Sequence, residues 1–201
     1  MTPQRLRVVK VGGSLIRHQP DAPAKETVAA LKAWLARQAP AVNVLVAGGG
    51  EFADVIRRAD AAHNLGEEAA HWLCVDALSI TAKLLGAVLS LPVVTRVTEL
   101  PEDTPSSCIF DAAPFFHEIE FLLFATPLPH TWAVTSDSIA ARIAEYFMAS
   151  ELVLLKSCLP GPATMGYVDD YFPTAAANLP AIRCVNLRSP DFEERPWVRH
   201  S

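Results

Sequence analysis

The chain contains no uninterrupted apolar run reaching the roughly 18 residues that would suggest a membrane span. No basic segment with an apolar centre precedes the first strand-like stretch, so no secretory signal is expected and a soluble cytoplasmic protein is. Cysteine is sparse: Cys74, Cys108, Cys158 and Cys184 stand far apart with no C-x-x-C spacing, which argues against a zinc site or a disulfide framework and predicts core thiols. The 17 Lys and Arg are scattered and outnumbered by 22 Asp and Glu, for a net charge of −5. That balance argues against a nucleic-acid surface, so any basic site must be local. No internal repeat, low-complexity tract or G-x-x-x-x-G-K-[ST] appears, and neither glycine cluster fits G-x-G-x-x-G, which disfavours P-loop and Rossmann enzymes. No lysine follows Lys156.

What is present is an alternation of strand-like and helix-like segments. With 201 residues, 51% of them hydrophobic, the chain can bury one sizeable core; a single domain over 1–187 and a polar, peripheral tail over 188–201 are expected. Val8, Val9 and Val11 are β-branched and predict a buried strand that ends at Gly12 and Gly13. A glycine turn there exposes backbone amides, and Ser14 adds a hydroxyl. Such a turn suits a phosphate, with Lys10 as a point charge beside it. Asp21 to Ala39 carries Val28, Leu31 and Leu35 at helical spacing, ending near Pro40.

A second strand, Asn43 to Ala47, runs into Gly48, Gly49 and Gly50. Glu51 then opens a helix whose Phe52, Val55, Ile56 and Ala59 predict one apolar face. A longer helix, Glu67 to Leu89, is rich in alanine and leucine and reads as core or as a partner face, core being the stronger reading. Leu91 to His130, broken by prolines that include Pro101, Pro105, Pro114, Pro127 and Pro129, predicts short strands and loops, including Cys108 to Phe110 and Phe121 to Phe124. Strand-like Ala133-Val134 precedes Thr135, Ser136, Asp137 and Ser138, a helix start with hydroxyls and a carboxylate at its mouth. Glu151 to Lys156 and Ile182 to Asn186 complete the strands. Asp169 and Asp170 read as solvated loop carboxylates rather than as a metal site.

Three parallel strands would thus end in ligand-capable groups, and ligands of open α/β sheets lie beyond the carboxyl ends of strands. Lys10-Val-Gly-Gly-Ser14, Ala47-Gly-Gly-Gly-Glu51 and Thr135-Ser-Asp-Ser-Ile-Ala-Ala141 resemble, in order and spacing, the three motifs of the amino acid kinase family. Within it, Gly48 to Ala53 and His130 to Ser138 most resemble the branch whose acceptor is an aminomethylfuran phosphate of methanofuran-type one-carbon cofactor biosynthesis. The similarity covers about Leu6 to Asn186.

The resemblance implies a three-layer α/β/α sandwich with a mainly parallel sheet. It implies transfer of the ATP γ-phosphoryl group to a small phosphate acceptor, with Mg²⁺ arriving on the nucleotide. Lys10 with Gly12, Gly13 and Ser14 would hold the phosphoryl group, Asp137 would orient the lysine, and Lys156 would border the nucleotide. Gly48, Gly49 and Gly50 would let the acceptor lie on the backbone; Glu51 or Asp76 would pair with its ammonium group; Trp132, Thr135 and Ser136 would line its site, while His71 and Trp72 on the long helix read as core or interface residues, with reach to the acceptor as the weaker reading. A homo-oligomer, in its simplest form a dimer, is the expected assembly, with neither nucleic acid nor membrane as a partner. Two departures stand out: Ser157 to Thr164 replaces the Asp-x-Asp-Gly segment that usually shapes the nucleotide pocket, and the family's second, C-terminal lysine is absent. Lys156, Arg183 or Arg188 would take its place, or the charge is not replaced. The alternative is a kinase-fold subunit of the same pathway that binds ligand without turnover.

Overall fold

A computed structural model describes residues 5–16, 24–102, 105–123, 126–161 and 166–198. In chain order the elements are β1 (Leu6–Val11), α1 (Gly13–Ile16), α2 (Ala24–Ala36), β2 (Val42–Ala47), α3 (Gly50–His63), α4 (Glu67–Leu89) and β3 (Val93–Val94). After a 3-10 turn follow β4 (Ser106–Phe110), α5 (Ala112–Glu118), α6 (Glu120–Leu123), α7 (Ser136–Tyr146), β5 (Glu151–Lys156), α8 (Phe172–Ala175), β6 (Ile182–Asn186) and β7 (Glu194–Pro196). The strands form one sheet in the order β3-β4-β2-β1-β5-β6-β7, parallel throughout except for the antiparallel β7. The segment expected as a peripheral tail therefore carries an edge strand, and its Trp197 ring packs on Phe172 at 5.0 Å.

Because side chains alternate along a strand, β1 feeds two cores. Val9 and Val11 face Leu31 and Trp34 of α2 and Leu85 of α4, whereas Val8 faces Phe110, Phe115 of α5 and Ile143 of α7. This is the expected three-layer sandwich. Lys10 shares the Val8 face, so its position among apolar neighbours follows from register alone. Helix α4 meets a membrane-span test by length and composition, yet ten of its residues are buried within the fold.

Several local expectations are corrected. The stripe Phe52, Val55, Ile56 and Ala59 is not core: α3 has no buried residue, and Phe52 and Val55 are exposed, because this helix packs along α4 rather than on the sheet. Phe121 to Leu123 belongs to α6 rather than to a strand, and all three are exposed. Upstream, the Asp111 carboxylate caps α5, so Pro114 falls in a first helical turn, where a missing amide costs nothing. Ala133-Val134 is a turn, closed by the Val134 amide donating to the Thr131 carbonyl, so the third motif does not follow a strand. Cys108 and Cys184 are core thiols, but Cys158 is exposed and Cys74 half-buried. The first residues of the expected Asp21 helix and residues 162–165 lie outside the described residues.

At the amino ends of the strands a charged network is sealed into the core. Arg7, only 1% exposed, donates from Nε to Glu151 at 2.7 Å and from Nη1 to Asn43 at 2.8 Å; Arg183 reaches the same carboxylate at 3.1 Å. Arg183 thus belongs to the end of the sheet opposite Lys156 and does not supply the missing cation. Glu151→Gln would strand the buried Arg7 charge and is expected to cost about 3–5 kcal/mol in urea unfolding. Burial raises the Glu151 carboxyl, but the hydrogen bonds from Arg7 and Arg183 outweigh it and hold the group below its ordinary 4.5. Its contribution is therefore complete above that value and lost as pH falls through the lower folded one, so the variant's stability should vary less with pH in acid.

Candidate active site

The site begins with register. Lys10 pairs with Leu154 across β1 and β5, and Lys156 lies two residues beyond Leu154, so both lysines leave the same face of the sheet near its carboxyl end. Helix α7 packs on that face against both strands and brings Asp137 with it. Lys10 Nζ stands 2.7 Å from Asp137 Oδ1, and Lys156 Nζ donates to Asp137 Oδ2 at 2.8 Å. Asp137 is 5% exposed and Lys10 4%. Burial raises the Asp137 carboxyl, but the two ammonium groups outweigh it and hold it below the ordinary 3.8. Lys156 moves down, first through burial and then through Lys10, with Asp137 opposing.

Lys156 is further held by the Tyr167 carbonyl, which accepts from Nζ, and by the Tyr167 ring 4.6 Å away. Asp169 is no solvated loop residue: it accepts from the Thr135 amide at 2.9 Å, the Thr135 hydroxyl at 2.8 Å, the Ser138 amide at 3.0 Å and the Ser138 hydroxyl. It caps α7 from a distant loop, which leaves Asp137, in the first turn of that helix, to face the lysines. This is a satisfied helix N-terminus with a favourable negative charge upon it.

The glycines bring the two turns together. A Cβ on Gly48 would lie 2.7 Å from the Gly13 amide nitrogen, and one on Gly13 would lie 2.9 Å from that of Gly50. Backbone thus packs on backbone, and the Gly48 amide donates to the Val11 carbonyl at 2.9 Å. Gly50, at φ +55°, opens α3 in a conformation disfavoured for other residues. Beside these turns lies a cavity of 160 Å³, walled by Gly13, Ser14, Gly49, Gly50, Trp132, Thr135 and Ser136.

The cavity also takes residues that sequence reasoning passed over. Ala53, Asp54 and Arg57 continue the face of α3 begun by Gly50, and Cys74 and Thr131 complete the rim. The signal was the stripe of small and charged residues at positions 50, 53, 54 and 57, obscured by the apolar stripe beside it. Trp132 donates from Nε1 to Asp60 at 2.9 Å and lies under the Arg57 guanidinium at 5.3 Å. His71 lines the cavity and stacks on His130 at 5.1 Å; burial foremost, with His130 second, lowers its pKa to about 4, so it is neutral at pH 7. Trp72 stacks on His117 at 4.6 Å and is not part of the cavity wall. Glu51 is exposed and outside the wall, and Asp76 is engaged by His117 at 2.7 Å.

A mainly parallel sheet with helices on both faces, glycine turns at its carboxyl end and a lysine pair bridged by a carboxylate define an α/β/α protein with a cationic site at the strand ends. The chain belongs to the amino acid kinase family, whose profile matches residues 5–158. A [5-(aminomethyl)furan-3-yl]methyl phosphate kinase of Methanocaldococcus jannaschii is 27% identical over 149 residues, covering 74% of this chain. The chain spans 64% of that relative's length. Among solved structures, the UMP kinases of Ureaplasma parvum and Bacillus anthracis superpose with TM-scores of 0.62 and 0.61, each at 12% identity over 94% of this chain and over 92% and 89% of their own. At that identity the likeness concerns the fold.

Proposed function

We propose that this chain is a small-molecule kinase that moves the γ-phosphoryl group of ATP onto a phosphorylated acceptor, an aminomethylfuran phosphate in methanofuran-type cofactor biosynthesis. The observation that carries the reading is the buried Lys10–Asp137–Lys156 triad beside the glycine turns. Two cations sharing one carboxylate leave a net positive charge where the strands end, and phosphoryl transfer depends mainly on positioning and on neutralising the equatorial oxygens. Lys156 takes the role of the family's absent second lysine. Gly12, Gly13 and Ser14 offer backbone and hydroxyl to the transferred group, and Asp137 keeps both ammonium groups aimed and charged. A phosphate acceptor supplies its own nucleophilic oxygen, so the protein needs no strong base. Mg²⁺ enters with the nucleotide as part of the substrate, held chiefly by phosphates and water. The aminomethylfuran acceptor is supported by the Methanocaldococcus relative and by a cavity walled by the glycine turns and by Thr135 and Ser136, the residues just before Asp137.

Titration of Mg-ATP into the protein by calorimetry, with and without [5-(aminomethyl)furan-3-yl]methyl phosphate, tests the reading. Nucleotide binding strengthened by the acceptor, with diphosphate product detected by phosphorus NMR, is the expected result. No heat and no thermal shift at millimolar nucleotide would refute it. One observation favours a second reading, a ligand-binding subunit without turnover: two of the three Lys156 ammonium donors already serve Asp137 and the Tyr167 carbonyl. Acceptor binding without product under the same conditions would select it.

A further inference from the structure

One short stretch of chain, residues 167–171, touches three separate parts of the site. The Tyr167 carbonyl accepts from Lys156 Nζ at the end of β5, and the Tyr171 amide donates at 3.1 Å to the Ala133 carbonyl in the turn before α7. Between them, Asp169 takes four donors from the start of α7, three on Oδ2 and one on Oδ1, about as many as its lone pairs accommodate. Asp169 is half-buried, whereas Asp170 beside it is exposed. Thr135, at the N-cap position, supplies no side-chain cap of its own; its hydroxyl donates to Asp169 instead. Thr135 and Ser138 flank Asp137 in the chain, so the turn that aims Asp137 at Lys10 and Lys156 cannot shift without breaking those bonds.

We propose that Asp169 is a positioning residue for phosphoryl transfer: through Thr135 and Ser138 it sets the Asp137 carboxylate between the two lysines, while Tyr167 of the same segment holds Lys156. The proposal rests on the kinase reading only where turnover is measured. Charge adds to geometry. Burial and then Lys10 lower the Lys156 ammonium, and Asp137 and, after it, Asp169 oppose them. The groups facing Lys156 are Lys10 of β1, Asp137 of α7, Tyr167 and Asp169 of the segment and Cys184 of β6. Burial pushes the Cys184 thiol up to about 11 and the Tyr167 phenol well above its ordinary 10, so both are neutral at pH 9 and below.

The test follows Lys156 by ¹³C NMR of its ε-methylene, without nucleotide, the resonance being assigned by its loss in Lys156→Arg. Steady-state kinetics with Mg-ATP and [5-(aminomethyl)furan-3-yl]methyl phosphate run beside it. In Asp169→Asn the Lys156 titration should move to lower pH, because a negative neighbour is gone. The alkaline limb of kcat should move the same way, with kcat at neutral pH lowered about 10- to 100-fold. The acceptor KM should stay within about threefold, since the residue acts on the reacting geometry and not on the bound acceptor. Asp170→Asn, which removes the same charge one residue on, should change neither readout. A Lys156 titration unmoved in Asp169→Asn overturns the proposal even if stability falls, because a helix cap alone would account for that. An equal effect of Asp170→Asn overturns it too. Should Asp169→Asn fail to fold, Asp169→Glu carries the test, since it keeps the charge on a longer side chain. Lys156 titrating as in the unmodified protein with kcat lowered about tenfold would support the proposal, and an unchanged kcat would overturn it. An unmodified protein without turnover whose Lys156 still responds to Asp169→Asn refutes the kinase reading alone. Turnover that Asp169→Asn leaves unchanged refutes this proposal alone.

Discussion

Lys10→Met is expected to lower the phosphoryl-transfer rate by about 10²–10³-fold, in keeping with the loss of one preorganised cation from a transition state rich in negative charge. The same change should cost no more than about 2 kcal/mol of stability, because methionine fills similar space and Asp137 keeps Lys156 as a partner. Charge arithmetic explains the asymmetry: two lysines and one aspartate leave +1, and removing Lys10 leaves a neutral pair. A coupled ATP assay beside a urea titration checks both halves. A rate within tenfold of the unmodified protein would show that Lys10 serves packing alone.

Asp137→Asn should behave differently, with a comparable loss of rate and a stability loss of about 3–5 kcal/mol, since it leaves two buried ammonium groups without their carboxylate. From the sequence alone Asp137 reads as an orienter whose loss would affect turnover far more than folding; two lysines on one fully enclosed carboxylate change that expectation. The pH response supplies the sign. Burial holds Lys156 below its ordinary value and Asp137 opposes that shift, so without the carboxylate the unfolded chain binds more protons and the variant should gain stability as pH rises from neutral toward the lysine range. The native Asp137 contribution runs at the other end of the scale, complete above 3.8 and lost as pH falls through its lower folded value. Urea midpoints at pH 6 and pH 9 measure the effect. An Asp137→Asn protein of native stability at both would mean that this carboxylate is no counter-ion. Lys10→Met combined with Asp137→Asn should recover part of the lost stability but none of the rate.

Much of the scaffold was legible because it rests on short-range physics. The runs Val8 to Val11, Asn43 to Ala47, Glu151 to Lys156 and Ile182 to Asn186 are all strands, each β-branched or leucine-rich and closed by a break. The long helix has the bounds its composition predicts. Misreadings fell where an apolar stripe had another use. Phe52 and Val55 look like core by spacing, but spacing cannot tell whether a helix rests on the sheet or beside another helix. Ala133-Val134 looks like strand, but among the described residues it has no neighbouring strand to join and closes a turn instead.

The sequence by itself determined the class of fold, the glycine turns at the strand ends and the two lysines and one aspartate available for a phosphate, because strand propensity, glycine content and motif order are local properties. Only the tertiary structure decided that Lys10 and Lys156 share a single carboxylate, that Asp169 from a distant loop caps the helix carrying it, and that Asp54 rather than Glu51 or Asp76 borders the cavity. Those outcomes depend on strand register and on which helix face meets which neighbour, and such pairings join separate elements, in the case of Lys10 and Asp137 more than a hundred positions apart.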